Sequence, residues 1–106
     1  MLVTLFEDCS IYFWNLQSFE PDYKMTDAPE GLRLSCMDYS LDMKQLVVGG
    51  QTPFILLYNT TEFFVDKHPR RQAFRLPKGY YGVSKVKFLN DNQHIALLTE
   101  GALLVV

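Results

Sequence analysis

The chain lacks several features that would assign it to a specialised class of protein. Its 106 residues include only two cysteines, Cys9 and Cys36, which are too few for a disulfide framework and do not have the spacing of a metal site. No apolar run approaches the roughly 18 residues that span a bilayer. The apolar start has no basic n-region, so it does not resemble a secretory signal. The formal net charge of −2 argues against a dedicated nucleic-acid binder, which would need a basic footprint.

The motifs of common catalytic and cofactor sites are also missing. Neither His68 nor His94 has a Cys, Ser and carboxylate in a triad-like grouping. Residues 48–51 lack the spacing and the lysine of a phosphate-binding loop. Glu20 and Asp22 have no hydrophobic setting that would divide them into an acid and a base. We therefore expect no enzyme activity, no cofactor and no metal.

The composition, 48% hydrophobic and 21% charged, is that of a globular domain, and the length predicts one domain. Short apolar runs separated by Gly, Pro, Asp and Ser indicate strands joined in hairpins. No stretch has a sustained helical period with caps. The predicted strands are residues 2–7, 11–15, 20–24, 32–37, 45–49, 54–58, 72–76, 83–88, 94–99 and 102–106.

Two kinds of strand are expected. Residues 83–88 alternate, with Val86 and Phe88 on one face and lysines on the other, which predicts a strand with one dry face. Residues 11–14 and 54–58 are apolar without a break. Continuous runs of this length predict strands that are covered on both faces, or buried helix segments, and their length and flanking turns favour strands.

The pattern repeats along the chain. Leu2-Val3 followed by residues 11–15 matches Leu46-Val47 followed by residues 55–59, at an offset of 44. A truncated third copy follows at an offset of 48 or 49, and the sequence leaves its register open. Four short strands in about 44 residues are typical of a β-propeller blade.

These residues resemble the WD (tryptophan–aspartate) repeat family. Trp14-Asn15 stands where the family has its Trp-Asp pair, and Tyr58-Asn59 takes the same place in the second unit. Residues 38–46 and 88–94 are similar to the strand–turn–strand segment of the family. The Gly-His pair of the family is missing from residues 27–31 and 77–82, so the repeats are divergent and a different propeller type stays open.

The resemblance implies a partly retained hydrogen-bond network. In the family, a turn Asp, a strand hydroxyl and the Trp are joined through the His in a buried network. By position, Asp8, Thr4 and Trp14 could form part of such a network here. A single tryptophan could also be a binding hot spot, but its place in an apolar run favours a blade residue covered by its neighbours.

The predicted fold is all-β, a partial β-propeller of four-stranded antiparallel blades. Residues 1–106 form one WD-repeat-like segment with approximate repeat units 1–24, 32–76 and 83–106. This length supplies about two and a half blades, whereas closed propellers typically have about four to eight. We therefore expect the isolated chain to assemble with copies of itself or to be unstable alone.

The resemblance implies a non-enzymatic, intracellular scaffold, cytoplasmic or nuclear, that binds other proteins or peptides through its loops. Tyr80 and Tyr81, flanked by glycines, are candidate partner-binding residues, although simple loop packing is the favoured explanation for them. Lys67, Arg70 and Arg71 form the basic cluster and could instead read a phosphate or phosphoinositide, or be a solvated loop. A further alternative is a fragment of a larger regulatory or enzyme-complex subunit without independent function.

Overall fold

The computed structural model describes residues 2–6, 10–25, 33–61, 70–77, 80–99 and 102–106. These residues form an all-β fold of ten strands in three small antiparallel sheets. The strands are β1 (Leu2–Leu5), β2 (Ile11–Asn15), β3 (Glu20–Met25), β4 (Arg33–Tyr39), β5 (Gln45–Gln51), β6 (Phe54–Asn59), β7 (Arg70–Arg75), β8 (Lys85–Phe88), β9 (Ile95–Thr99) and β10 (Ala102–Val105).

Each sheet is a simple meander, because every strand pairs with the next strand along the chain. Sheet 1 has the order β1-β2-β3, sheet 2 has β4-β5-β6-β7 and sheet 3 has β8-β9-β10. The predicted strand positions are confirmed, and strand ends differ from the prediction by at most two residues. Sheet 2 contains four strands, whereas three are described in each of the other two sheets.

The three sheets are stacked, with sheet 2 in the middle. One hydrophobic core lies between sheets 1 and 2, and Phe13 and Tyr58 are its largest fully buried side chains. A second core lies between sheets 2 and 3 and includes Val47, Ile55 and Leu97. Both faces of sheet 2 are therefore covered.

Strand β5 shows how one strand contributes to both cores. Leu46 and Val48 lie in the core with sheet 1, and Val47 between them lies in the core with sheet 3. All three side chains are fully buried, because successive side chains of a strand point to opposite faces. The same holds for β6, so the prediction that residues 54–58 are covered on both faces is confirmed.

Strand β2 differs from its prediction. Ile11 and Phe13 are buried against sheet 2, but Tyr12 and Trp14 are only half-buried on the opposite face. The expectation that residues 11–14 are covered on both faces is therefore wrong. The physical reason is that no described element packs on this outer face of sheet 1.

The 44-residue repeat is visible in the strand pairing. Leu2 pairs with Trp14 in sheet 1, and Leu46 pairs with Tyr58 in sheet 2. Equivalent side chains also point in the same direction along the stack. Sheets 1 and 2 are thus built on the same register.

Sheet 3 determines the register that the sequence left open. Phe88 pairs with Ile95 as Tyr39 pairs with Leu46, which gives β8 and β9 an offset of 49 from sheet 2. Strand β10 matches β6 at an offset of 48, because the turn before it is one residue shorter. Both values predicted from the sequence are correct, each for a different part of the unit.

The β4–β5 and β8–β9 turns have the same backbone conformation. Met43 and Asn92, 49 residues apart, are both left-handed, with φ of 59° and 57°. Asp42 and Asp91 each accept the backbone N–H of the residue two positions later, at 3.2 and 3.0 Å. An Asp side chain that accepts a backbone N–H two residues later is common in turns.

These contacts keep both turn carboxylates charged. The Ser40 hydroxyl, which donates to the Asp42 carboxylate, is the main cause of the lowered pKa of Asp42. The N–H of Gln93, followed by the His94 side chain, lowers the pKa of Asp91 well below its usual range. A lowered folded pKa stabilises the fold above the unfolded pKa of about 3.9, and this contribution is lost as the pH falls through the lowered value.

A variant with Asp42→Asn and Asp91→Asn is expected to be less stable than the wild-type chain at pH 7. The difference should shrink as the pH falls below about 4, because the carboxyl groups of the unfolded wild-type chain then bind protons while those of the folded chain stay charged, which favours unfolding of the wild-type chain. Urea unfolding at a series of pH values from 7 to 2.5 measures the difference. A difference that stays constant over this range would contradict a role for the carboxylate charge.

Candidate partner-binding surfaces

Strand direction places the connecting loops at two opposite ends of the sheets. At the upper end, the N–H of Leu76 donates to the carbonyl of Pro53 at 2.8 Å, which joins the chain after β7 to the β5–β6 turn. At the lower end, the N–H of Thr60 donates to the carbonyl of Lys44 at 3.0 Å, which joins the end of β6 to the β4–β5 turn. Each end of the stack therefore presents its own group of loops.

Residues 80–84, which lead into β8, are held firmly at the upper end. The N–H of Gly82 donates to the carbonyl of Thr52 at 3.0 Å, and the N–H of Val83 donates to that of Gly50 at 2.7 Å. Gly82 has a φ of 94°, a conformation that side chains rarely adopt. The backbone of this loop is thus hydrogen-bonded to the central sheet, and its side chains project from a fixed turn.

The two candidate tyrosines have different environments. Tyr80 packs half-buried against the core between sheets 2 and 3. Tyr81 is 66% exposed at the upper end. Loop packing therefore accounts for Tyr80, whereas the ring of Tyr81 is left exposed to solvent.

Arg71 of the basic cluster lies at the other end of the molecule. Arg71 is exposed and pairs with Tyr58 near the start of β7, at the lower end. Lys67 and the side chain of Arg70 lie outside the described residues. The structure does not bring Arg71 and Tyr81 together, so a single site cannot use both.

Trp14 belongs to an aromatic cluster on the outer face of sheet 1. Its Nε1 donates to Oγ1 of Thr4 at 2.8 Å, and the Tyr12 ring is stacked on it at 5.7 Å between centroids. Phe6 meets Tyr12 edge to face, at 5.0 Å. The ammonium group of Lys24 lies 5.3 Å from the centroid of the Tyr12 ring. The indole hydrogen bond and the ring contacts therefore link the side chains of this face to one another.

The predicted network around Trp14 is described only in part. Its bond to Thr4 is present, whereas Asp8 lies outside the described residues. In sheet 2 the equivalent of Trp14 is Tyr58, which sheet 1 buries completely. The same repeat position is thus buried or half-buried according to whether another sheet covers it.

The two asparagines at the predicted repeat positions have the same structural role. Oδ1 of Asn15 accepts the N–H of Gln17 at 2.8 Å, and Oδ1 of Asn59 accepts the N–H of Thr61 at 3.0 Å. Each side chain therefore closes the turn that follows its strand. Their role is structural, and neither points to catalysis.

A groove between β1 and β4 was not predicted from the sequence. This β1–β4 groove is a cavity of about 530 Å³ lined by residues 3–6 and 34–37, and a second cavity of about 280 Å³, bordered by Val3, residues 37–39 and Leu46, continues it along β4. The repeat pattern of the sequence could have indicated this groove. Strand β1 matches β5, so the first unit has no counterpart of β4 among the described residues.

Reactive groups are sparse in the described part of the chain. Cys36 is half-buried, with Sγ 3.5 Å from the carbonyl of Val83, and burial raises the pKa of its thiol. The nucleophilic thiolate is therefore disfavoured. Within the same described residues, no group of three or more His, Cys, Asp or Glu side chains could hold a metal ion. Cys9 lies outside them.

Comparison with known proteins does not name a family. No protein-family model matches the chain, and no curated protein matches it. Over the described ranges, no helix is long and apolar enough to cross a membrane.

Proposed function

We propose that the chain forms three consecutive blades of a WD-repeat-type β-propeller and acts as a non-enzymatic scaffold that binds other proteins. The observation that carries this proposal is the stack of three meander sheets that repeat the same register at offsets of 44 and 48–49 residues. Stacked sheets of this kind bury their apolar faces only against neighbouring units. Propeller blades are one architecture that arranges four-stranded sheets in this way.

A second observation supports the WD-repeat type among propellers. The indole N–H of Trp14 donates to a strand hydroxyl, that of Thr4, at the position where the family joins the same two groups. The asparagines that follow Trp14 and Tyr58 close equivalent turns. These shared contacts occur at the positions that the sequence resemblance had selected.

In this proposal, partner proteins bind at the upper end, on the loop that carries Tyr81. The loop that carries Tyr81 is held by backbone hydrogen bonds to the central sheet, so the exposed ring needs little ordering when it meets a partner. Tyrosine offers a large contact area with few rotatable bonds. A partner would therefore dock on a preformed surface around Tyr81.

Two matched variants test this proposal. Tyr81→Asn removes the exposed ring at the upper end, and Phe19→Asn removes a ring that is 80% exposed in the β2–β3 turn at the lower end. Phe19 has a φ of 58°, which asparagine tolerates. Proteins cross-linked to the wild-type chain in a cell extract should bind the purified Tyr81→Asn variant at least about tenfold more weakly.

The same proteins should bind the Phe19→Asn variant as tightly as the wild-type chain. Equal binding to wild type and both variants would overturn docking at Tyr81. Loss with Phe19→Asn alone would move the docking surface to the lower end.

A further inference from the structure

Strand β1 has one edge that no described strand pairs with. In sheet 2 the equivalent strand β5 lies between β6 and β4, and in sheet 3 the strand β9 lies between β10 and β8. In sheet 1, β1 pairs with β2 on one side, and the β1–β4 groove lies on the other. The groove therefore occupies the place that β4 and β8 hold in the other two sheets.

The backbone of β1 is oriented for another strand. The N–H of Phe6 donates to the carbonyl of Ser10 at 3.0 Å, which sets the alternation of the antiparallel ladder. Leu2 and Thr4 then bond to β2, and the N–H and C=O groups of Val3 and Leu5 point towards the open edge. Unpaired edge groups of this kind are a template for strand addition.

Strand β4 shows which residues such a strand would place opposite this edge. Asp38 pairs with Val47 and Cys36 with Gly49, at the positions equivalent to Val3 and Leu5 in sheet 1. An added strand with the sequence pattern of β4 would thus face β1 with its own equivalents of Asp38 and Cys36.

We propose that the β1–β4 groove binds an extended peptide segment of a partner protein, which adds to sheet 1 as a fourth strand antiparallel to β1. Addition of a strand at a sheet edge is a common mode of peptide recognition, in which the backbone supplies affinity and alternate side chains supply specificity. The groove, at about 530 Å³, lies within the usual size of binding pockets, roughly 300–1,000 Å³.

The neighbouring sheets define the chemistry of this peptide. In both β4 and β8, bulky apolar residues alternate with small, polar or charged ones. The Asp38 carboxylate accepts the N–H of Phe88 in the next sheet at 2.7 Å. The residue equivalent to Phe88 in sheet 2 is Tyr39, which borders the groove. The peptide is therefore expected to carry an acidic residue that accepts the N–H of Tyr39, between two apolar residues.

A peptide of residues 33–39 carrying Cys36→Ser is the probe, because β4 itself has the required pattern. Binding to the wild-type chain is measured by titration, and hydrogen exchange locates it. We expect saturable binding below 1 mM and new protection of the amides of Val3 and Leu5. Binding should weaken about tenfold when Asp38→Ala is introduced into the peptide.

N-methylated peptides provide a matched control without any change to the chain. A methyl group on the N of Asp38 removes a donor to β1 and should weaken binding at least about tenfold. A methyl group on the N of Met37 points away from β1 and should change binding less than about twofold. Equal effects of the two methyl groups would overturn strand addition.

Proline variants test the chain side. Val3→Pro removes an N–H at the open edge of β1 without touching the ladder to β2, and should abolish binding. Leu103→Pro makes the same change at the open edge of β10 and should leave binding intact. Protection of Leu103 and Val105 in place of Val3 and Leu5 would also overturn the proposal, as would no binding up to 1 mM. If Val3→Pro does not fold, the N-methylated peptides still test strand addition. None of these results depends on docking at Tyr81.

Discussion

Replacing Phe13 with alanine is expected to reduce the free energy of unfolding by about 3–5 kcal/mol. The Phe13 side chain is fully buried between sheets 1 and 2, and its ring meets those of Tyr23 and Tyr39 edge to face, at 6.4 and 6.2 Å between centroids. Truncation removes this apolar burial and leaves a cavity between two sheets. Because a small domain has only about 5–15 kcal/mol of stability, the variant should lose a large part of it.

The neighbouring Tyr12→Ala is the matched control. Tyr12 is only half-buried and lies on the outer face of sheet 1, where it contacts Phe6, Trp14 and Lys24. Its truncation should cost less than half as much as Phe13→Ala, and urea unfolding of both variants measures this difference. Equal losses would mean that sheet 1 does not pack on sheet 2 through the Phe13 side.

Replacing Gly50 with alanine is expected to destabilise the fold by about 3 kcal/mol or more. A Cβ atom at Gly50 would overlap the carbonyl oxygen of Arg33 and lie 2.8 Å from Cα of Leu34 and N of Ser35. All three are backbone atoms of β4, where its register to β5 shifts between Leu34 and Cys36. The strand would have to move away, which breaks the pairing at the upper end of sheet 2.

Gly49→Ala is the control for this variant, since it places the same methyl group one residue earlier in β5. A Cβ atom at Gly49 would lie 3.4–3.5 Å from side-chain atoms of Val86, Cys36 and Val83, which is ordinary contact. We expect a change of less than about 1 kcal/mol. Thermal and urea unfolding measure the stability of both variants. A Gly50→Ala variant as stable as Gly49→Ala would show that β4 does not approach β5 so closely.

The strands and their pairing were accessible from the sequence because they follow from local patterns. The match between Leu2-Val3 and Leu46-Val47 predicted equivalent strands, and the pairing registers of sheets 1 and 2 agree with it. The alternation of Val86 and Phe88 with lysines predicted a strand with one buried face, which is confirmed. The WD-repeat assignment itself stays a proposal.

The candidate site was only partly accessible. Tyr80 and Tyr81 are adjacent in the sequence, but only the packing of the loop separates a half-buried ring from an exposed one. Arg71 and Tyr81 are separated because β7 runs the length of the sheet between them. The β1–β4 groove exists because sheet 1 has no described strand at the position that β4 holds in sheet 2. Local patterns of apolar residues do not predict a space between two sheets.

By itself, the sequence determined the all-β class, the ten strands and the period that relates the units, because side-chain alternation and turn residues act over short distances. Only the tertiary structure decided which apolar runs are covered on both faces. Residues 54–58 and 11–14 look alike as sequence, yet among the described residues sheet 2 has a neighbouring sheet on each face and sheet 1 has one. Burial depends on what packs against a strand, and that is a property of the stack rather than of the strand.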